Sequence, residues 1–266
     1  MVSIGARRTM GSCAFDKLFA KSVPHILEKI FLSLDYESYK ECLKVSSAWN
    51  RLLVLESFQN IGRSMFQDEI AKDGRSLLQA AKDGNIEAVR RLLYSGMLHV
   101  NCGFGSYLET PLYRAAKHGQ KDVVQLLLDL GAEPNKADIL GWNPLYVAAQ
   151  QGHGDVVQLL IDKGAEPNKA CEGTTNGWTP LHRAAYTGNT HMVNVLLNGG
   201  AKPNVADKLQ KIPLFLAAIY GHETVIQLLL DRGADPNVSN KNGYTPHLLA
   251  RLQGYYPKYK SIYRFN

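Results

Sequence analysis

Residues 109–135 read ETPLYRAAKHGQKDVVQLLLDLGAEPN, and the pattern returns down the chain. Thr110-Pro111 is followed by Asn143-Pro144, Thr179-Pro180, Ile212-Pro213 and Thr245-Pro246, at spacings of 33, 36, 33 and 33 residues. The Ala pairs at 115/116, 148/149, 184/185 and 217/218 keep the same step, as do Gly119, Gly152, Gly188 and Gly221. The segment Gly-Ala-x-Pro-Asn recurs from Gly131, Gly164, Gly200 and Gly233. Self-similarity at this period predicts a solenoid of stacked units rather than one globular core.

Each recurring position has a physical reason. Thr110 and Thr179 suit a helix N-cap, and the Pro that follows suits the first helical position. The small Ala pairs let neighbouring helices approach closely. Gly119 and its equivalents can take the left-handed backbone that ends a helix. Val123, Val124, Leu126, Leu127 and Leu128 form the apolar stripe of a second, antiparallel helix. Gly131 ends that helix, Pro134 cannot continue it, and the polar stretch before the next Thr-Pro becomes a finger-like turn.

TPLYRAAKHG, NPLYVAAQQGHGDVVQLL and TPLHRAAYTGN strongly resemble ankyrin repeats. The expected fold is all-α, with helix-turn-helix units and β-hairpin fingers. The expected divisions are a divergent repeat 1 at 74–104, repeats at 105–138, 139–173, 174–207 and 208–240, and a partial capping repeat with a Tyr-rich tail at 241–266. Repeat 1 lacks Thr-Pro, as a terminal repeat with one unpartnered face is free to do. Repeat 5 carries Ile212 at the capping position, which predicts a local loss of about 1 kcal/mol. Three extra residues within CEGTTNG lengthen one finger; they read either as a neutral insertion or as a finger reaching for a ligand. Pro257 stops the second helix of the last repeat early.

The front of the chain follows another design. Residues 1–14 are patternless and expected to be disordered. Residues 15–57 hold three short helical stripes, one with Ile26, Leu27, Ile30, Phe31 and Leu34 behind Pro24, and a last one with Val45, Ala48, Trp49, Leu52 and Leu53. So short a segment cannot bury so many large apolar groups alone, which predicts a partner that completes its core. The order Pro, Ile-Phe-x-x-Leu, Cys-x-x-Val-Ser, Trp resembles the F-box. The resemblance implies docking onto the Skp-family adaptor of cullin–RING ubiquitin ligases through Pro24, Ile30, Leu34, Cys42, Val45 and Trp49. The other reading of this segment is a helical cap on the array. Residues 58–73 read as a helical connector rather than a flexible linker.

Composition narrows the function classes. The 266 residues are 45% apolar and 20% charged, an ordinary soluble balance. No apolar run reaches the length of a membrane span. Neither a secretory leader nor a lipid-anchor signal is expected at the ends. The net charge is +6, but residues 1–70 hold nine Lys/Arg against eight Asp/Glu, and the basic residues elsewhere are scattered among acids. A nucleic-acid footprint would be a stripe, and no nucleic-acid partner is expected. Cys13, Cys42, Cys102 and Cys171 have neither disulfide nor zinc spacing, which fits reduced thiols in the cytoplasm or nucleus. No nucleotide loop, metal spacing or catalytic triad context occurs, so no enzyme activity and no cofactor are expected. The histidines read as structural, with His182 bonding across its turn in the Thr-Pro-Leu-His motif.

By resemblance, ankyrin repeats bind proteins through the fingers and the outer side of the first helix. Those positions hold Tyr107, Glu109, Lys117, His118, Ile139, Leu140, Trp142, Trp178, Tyr186, Leu209, Tyr220 and Tyr244. Tyr107, Trp142, Trp178, Tyr186, Tyr220 and Tyr244 read as a substrate platform on one concave face, aromatic residues being enriched at interface hot spots; equally, the aromatic before each Thr-Pro can shield its hairpin. Together the two resemblances imply a non-enzymatic substrate-recognition adaptor of an SCF-type ubiquitin ligase, monomeric outside that complex, with an unknown target protein. The alternative is an ankyrin-repeat scaffold or inhibitor without a ligase link.

Overall fold

The computed structural model describes residues 67–94, 98–174 and 176–252, together with Asp35 and Glu37. The F-box-like segment and the tail after Leu252 otherwise lie outside these residues. The chain divides into two units, Met1–Asp73 with Arg91–His99 and Gly74–Arg90 with Val100–Asn266. The second unit holds the repeats from Val100 onward together with Gly74–Arg90 of the first repeat.

From Gln67 onward the described chain is helical, in pairs. The helices are α1 (Gln67–Asp83), α2 (Ile86–Tyr94), α3 (Pro111–Lys117), α4 (Lys121–Asp129), α5 (Pro144–Gln151), α6 (Gly154–Asp162), α7 (Pro180–Thr187), α8 (Thr190–Asn198), α9 (Pro213–Tyr220), α10 (Glu223–Asp231) and α11 (Pro246–Leu252). The first helices α3, α5, α7, α9 and α11 pack side by side in one layer. The second helices α4, α6, α8 and α10 pack in another, each antiparallel partner against the first helix of its own repeat. No described helix is long and apolar enough to cross a membrane.

The helix boundaries follow from side-chain chemistry. Thr110 Oγ1 accepts the Tyr113 N–H at 3.1 Å, Asn143 Oδ1 the Tyr146 N–H at 2.8 Å and Thr245 Oγ1 the Leu248 N–H at 3.2 Å. These bonds satisfy N–H groups that the helix itself leaves unpaired. Gly152, Gly188 and Gly221 end α5, α7 and α9 in the left-handed conformation. Ile212 caps nothing, but its side chain is buried at 1% exposure. It exchanges a cap bond for apolar burial.

The Ala pairs lie at the centre of the first-helix layer: Ala115, Ala116, Ala148, Ala184, Ala185, Ala217 and Ala218 are essentially inaccessible. Val123, Val124 and Leu127 of α4 are buried with their equivalents Val156, Val157 and Leu160, and Val225, Ile226 and Leu229. The core is therefore repeated unit by unit, as expected of an array in which neighbours supply each other's apolar cover.

One expectation needs correction. Among the described residues no strand forms, so the fingers are tight turns rather than β-hairpins; an isolated antiparallel bridge between Phe104 and Glu109 is the nearest approach to a ladder. Asp138 to Trp142, Asp207 to Lys211 and Asn240 to Tyr244 are each closed by two backbone bonds of 2.9–3.1 Å. Five residues are too few to carry a ladder. α1 is one continuous helix from Gln67 to Asp83. No proline interrupts it, and the Gly74 inside it is buried where an added Cβ would stand 2.2 Å from the Phe104 ring.

Candidate protein-binding face

The fingers are fixed at their bases by one recurring side chain. Asp138 Oδ1 accepts the N–H groups of Leu140 and Trp142 at 3.0 and 2.9 Å. Asp207 Oδ1 accepts those of Leu209 and Lys211, both at 2.8 Å. Asn240 Oδ1 accepts those of Asn242 and Tyr244 at 2.9 and 3.0 Å. Each oxygen thus does the work of a turn carbonyl. In the longer third finger the same place holds Cys171, which cannot accept in this way. Thr174, one of the residues of the extended loop, takes over: its Oγ1 accepts the Trp178 N–H at 2.7 Å and donates to the Cys171 carbonyl at 2.8 Å. The Cys171 thiol is fully buried and donates to the Gly141 carbonyl at 3.2 Å. Burial raises its pKa, which keeps it in the donating, protonated form.

Adjacent fingers are tied by backbone bonds. Ile139 N–H donates to the Tyr107 carbonyl at 3.0 Å, Lys208 to Asn176 at 2.9 Å and Lys241 to Leu209 at 3.2 Å. A second set of ties comes from the asparagines that end each Pro-Asn. Asn135 Oδ1 accepts the Glu166 N–H and its Nδ2 donates to the Gly164 carbonyl; Asn168 and Asn204 repeat this on Lys202/Gly200 and Asp235/Gly233. Asn101 does the same on Glu133 and Gly131. A third set holds the helix ends: His153 Nε2 donates to the Lys117 carbonyl at 3.2 Å and His222 Nε2 to that of Tyr186 at 2.9 Å. The finger face is consequently a rigid surface.

Of the six predicted platform residues, three are in ring contact with one another. Trp178, Tyr186 and Tyr220 are brought together, with ring centroids 5.3 Å apart in the first pair and 4.6 Å in the second. The Arg183 guanidinium lies 5.4 Å from the Tyr186 ring centre, and the Trp178 indole N–H donates to Asp207 Oδ2 at 3.2 Å. Trp142 instead packs edge-on against the buried Tyr146 of the helix that follows it. Tyr107 and Tyr244 stand exposed on the first and last fingers. Leu108, Ile139, Leu140 and Leu209 are further exposed apolar side chains of the fingers. Glu109, read as a surface position, is buried and ion-paired with Arg114, with Lys117 3.9 Å away. Pro24, Ile30, Leu34, Cys42, Val45 and Trp49 lie outside the described residues.

Among the described residues no group of three His, Cys, Asp or Glu side chains is placed to hold a metal ion. The buried, titratable groups serve structure. His182 bridges its own cap to the next finger, and burial holds its pKa below the ordinary value. Burial also raises the phenol pKa of Tyr146.

A family model described as ankyrin repeats (3 copies) matches residues 50–138, 77–171, 136–207 and 168–240. The chain belongs to the ankyrin-repeat family. Ankyrin repeats are typically non-catalytic modules that bind other proteins. The chain is also similar to part of a relative described as a transient receptor potential cation channel subfamily A member 1 homolog from Caenorhabditis elegans, 42% identical over 62 residues. That match covers 23% of this chain, and the chain spans 5% of the relative's length.

Proposed function

We propose that the chain is a substrate-recognition adaptor of a cullin–RING ubiquitin ligase. In this reading residues 15–57 dock onto the Skp-family adaptor through Pro24, Ile30, Leu34, Cys42, Val45 and Trp49, and the ankyrin face holds the target protein. The observation that carries it is the coexistence in one chain of the F-box-like order of apolar residues and a stiff recognition array. Ubiquitin transfer falls to other subunits. Two binding surfaces on one chain raise the local concentration of target lysines near the charged enzyme. The reading places the protein in the cytoplasm or nucleus. The partial likeness to a channel homolog covers too little of that protein to bring channel activity here.

The second reading is a scaffold or inhibitor that binds its partner through the repeats without a ligase link. It is favoured by the family match, which lies on residues 50–240 and accounts for the repeats by themselves. Mixing the full chain with purified Skp-family adaptor separates the two. The adaptor reading expects a stable complex that Leu34→Ala with Trp49→Ala abolishes while helical circular dichroism stays unchanged. Absence of a complex with the wild-type chain removes the ligase reading and leaves the scaffold.

A further inference from the structure

Between the last two fingers lies an open groove of ≈ 210 Å³. Leu209, Ile219, Tyr244 and Leu249 give it an apolar floor and walls, and Lys211 and Lys241 stand on its edges. None of its lining residues carries a carboxylate. Lys208 adds a third cation nearby, its side chain running along Gly177 of the preceding finger. Asp207, the acid nearest in sequence, is turned inward and spent: Oδ1 holds the Leu209 and Lys211 amides, and Oδ2 accepts the Trp178 indole. Among the described residues Lys208, Lys211 and Lys241 have no ion-pair partner, whereas Lys163 and Lys136 elsewhere on the array do.

We infer that this groove receives an acidic segment of the partner protein, one apolar side chain seated between Leu209 and Tyr244 with carboxylates against Lys211 and Lys241. The inference rests on the reading that the ankyrin face binds a protein. The groove is smaller than the roughly 300–1,000 Å³ of pockets that enclose drug-sized ligands, so it suits a side-chain anchor from a larger partner. Burying the exposed faces of Leu209 and Tyr244 supplies the apolar gain, and the unopposed lysines supply steering and choice of partner. The Trp178–Tyr186–Tyr220 cluster, its last ring next in sequence to Ile219, offers further aromatic contact.

The test is selection of a random dodecapeptide phage library on the immobilised full chain, followed by fluorescence anisotropy with the selected peptides. The expected peptides carry Asp or Glu on both sides of one Leu, Ile, Met or Phe. Their affinity should fall at least tenfold on Lys211→Glu with Lys241→Glu, fall similarly when their acids become amides, and weaken with added salt. The thermal midpoint of the charge-reversed chain controls for folding. Failure to select any peptide, selection of peptides without acids, or equal binding to the reversed chain overturns the inference. If binding ignores the reversal but is lost with Tyr107→Ala and Ile139→Ala, the groove is the wrong site while the protein-binding reading stands.

Discussion

Nε2 of His182 donates to the carbonyl oxygen of Lys211 across 2.9 Å, joining the start of one repeat to the finger of the next. The carbonyl fixes the tautomer, so Nδ1 is the acceptor, 3.2 Å from the Thr179 amide and 2.8 Å from its hydroxyl. Protonation would put a hydrogen where the amide already points. Burial adds to this and lowers the folded-state pKa below the ordinary 6.5. The unfolded ring therefore binds a proton at a pH where the folded ring does not. Stability from this group is complete above about pH 6.5 and is lost as the pH falls from there toward the folded value. Urea midpoints measured between pH 5 and 8 should show that decline. Replacement by Phe, the residue at the same place in the next repeat as Phe215, should flatten it; an unchanged slope would refute the assignment.

Ile212→Thr restores the missing cap yet should destabilise. A cap contributes about 1 kcal/mol, whereas full burial of an Ile side chain contributes about 1.5–3 kcal/mol. The difference predicts a net loss of about 1 kcal/mol in chemical denaturation. A gain would mean that the sequence-based reading of Ile212 as a defect was right after all.

The asparagine ties are unequal in burial. Asn101 is buried, while Asn135 is only half-buried. Removing a buried partner strands the groups left behind, at about 1–3 kcal/mol. Asn101→Ala should therefore cost about 2 kcal/mol and Asn135→Ala less, since water can reach the groups left by the half-buried carboxamide. Equilibrium unfolding of the two variants checks the order.

Gln210 holds φ at +59°, in the place that Gly141 and Gly243 occupy in their own fingers. A side chain there strains the backbone by roughly 1 kcal/mol or more. Gln210→Gly should stabilise by about 0.5 kcal/mol, because the added freedom of glycine in the unfolded chain takes back part of the relief. Thermal melting would settle the sign.

Much of this was legible from the residues. The Thr-Pro, Ala-Ala and Gly positions announce helix starts, contact faces and ends because each has one dominant physical use. The roles of Asn135, Asn168 and Asn204 were hidden, since their partners sit about thirty residues further on and are backbone groups with no signature of their own. The finger bases were hidden for another reason. Asp138, Asp207 and Asn240 recur in step, but Cys171 interrupts them, and its substitute Thr174 lies in the inserted stretch. The pairing of Trp178 with Tyr186 and Tyr220, and the separation of Trp142 from them, depend on packing that spacing alone does not reveal. Glu109 was placed on the surface because the ankyrin resemblance makes the position before Thr-Pro a contact position; instead it is buried and paired with Arg114, five residues along.

The asparagine ties all point one way. Each carboxamide belongs to the earlier repeat and grips main chain of the later one. A polypeptide leaving the ribosome makes the gripping residue first, so every newly emerged repeat meets a waiting hand on the part already built. Closure can then advance with translation, one module at a time, without awaiting the C-terminus.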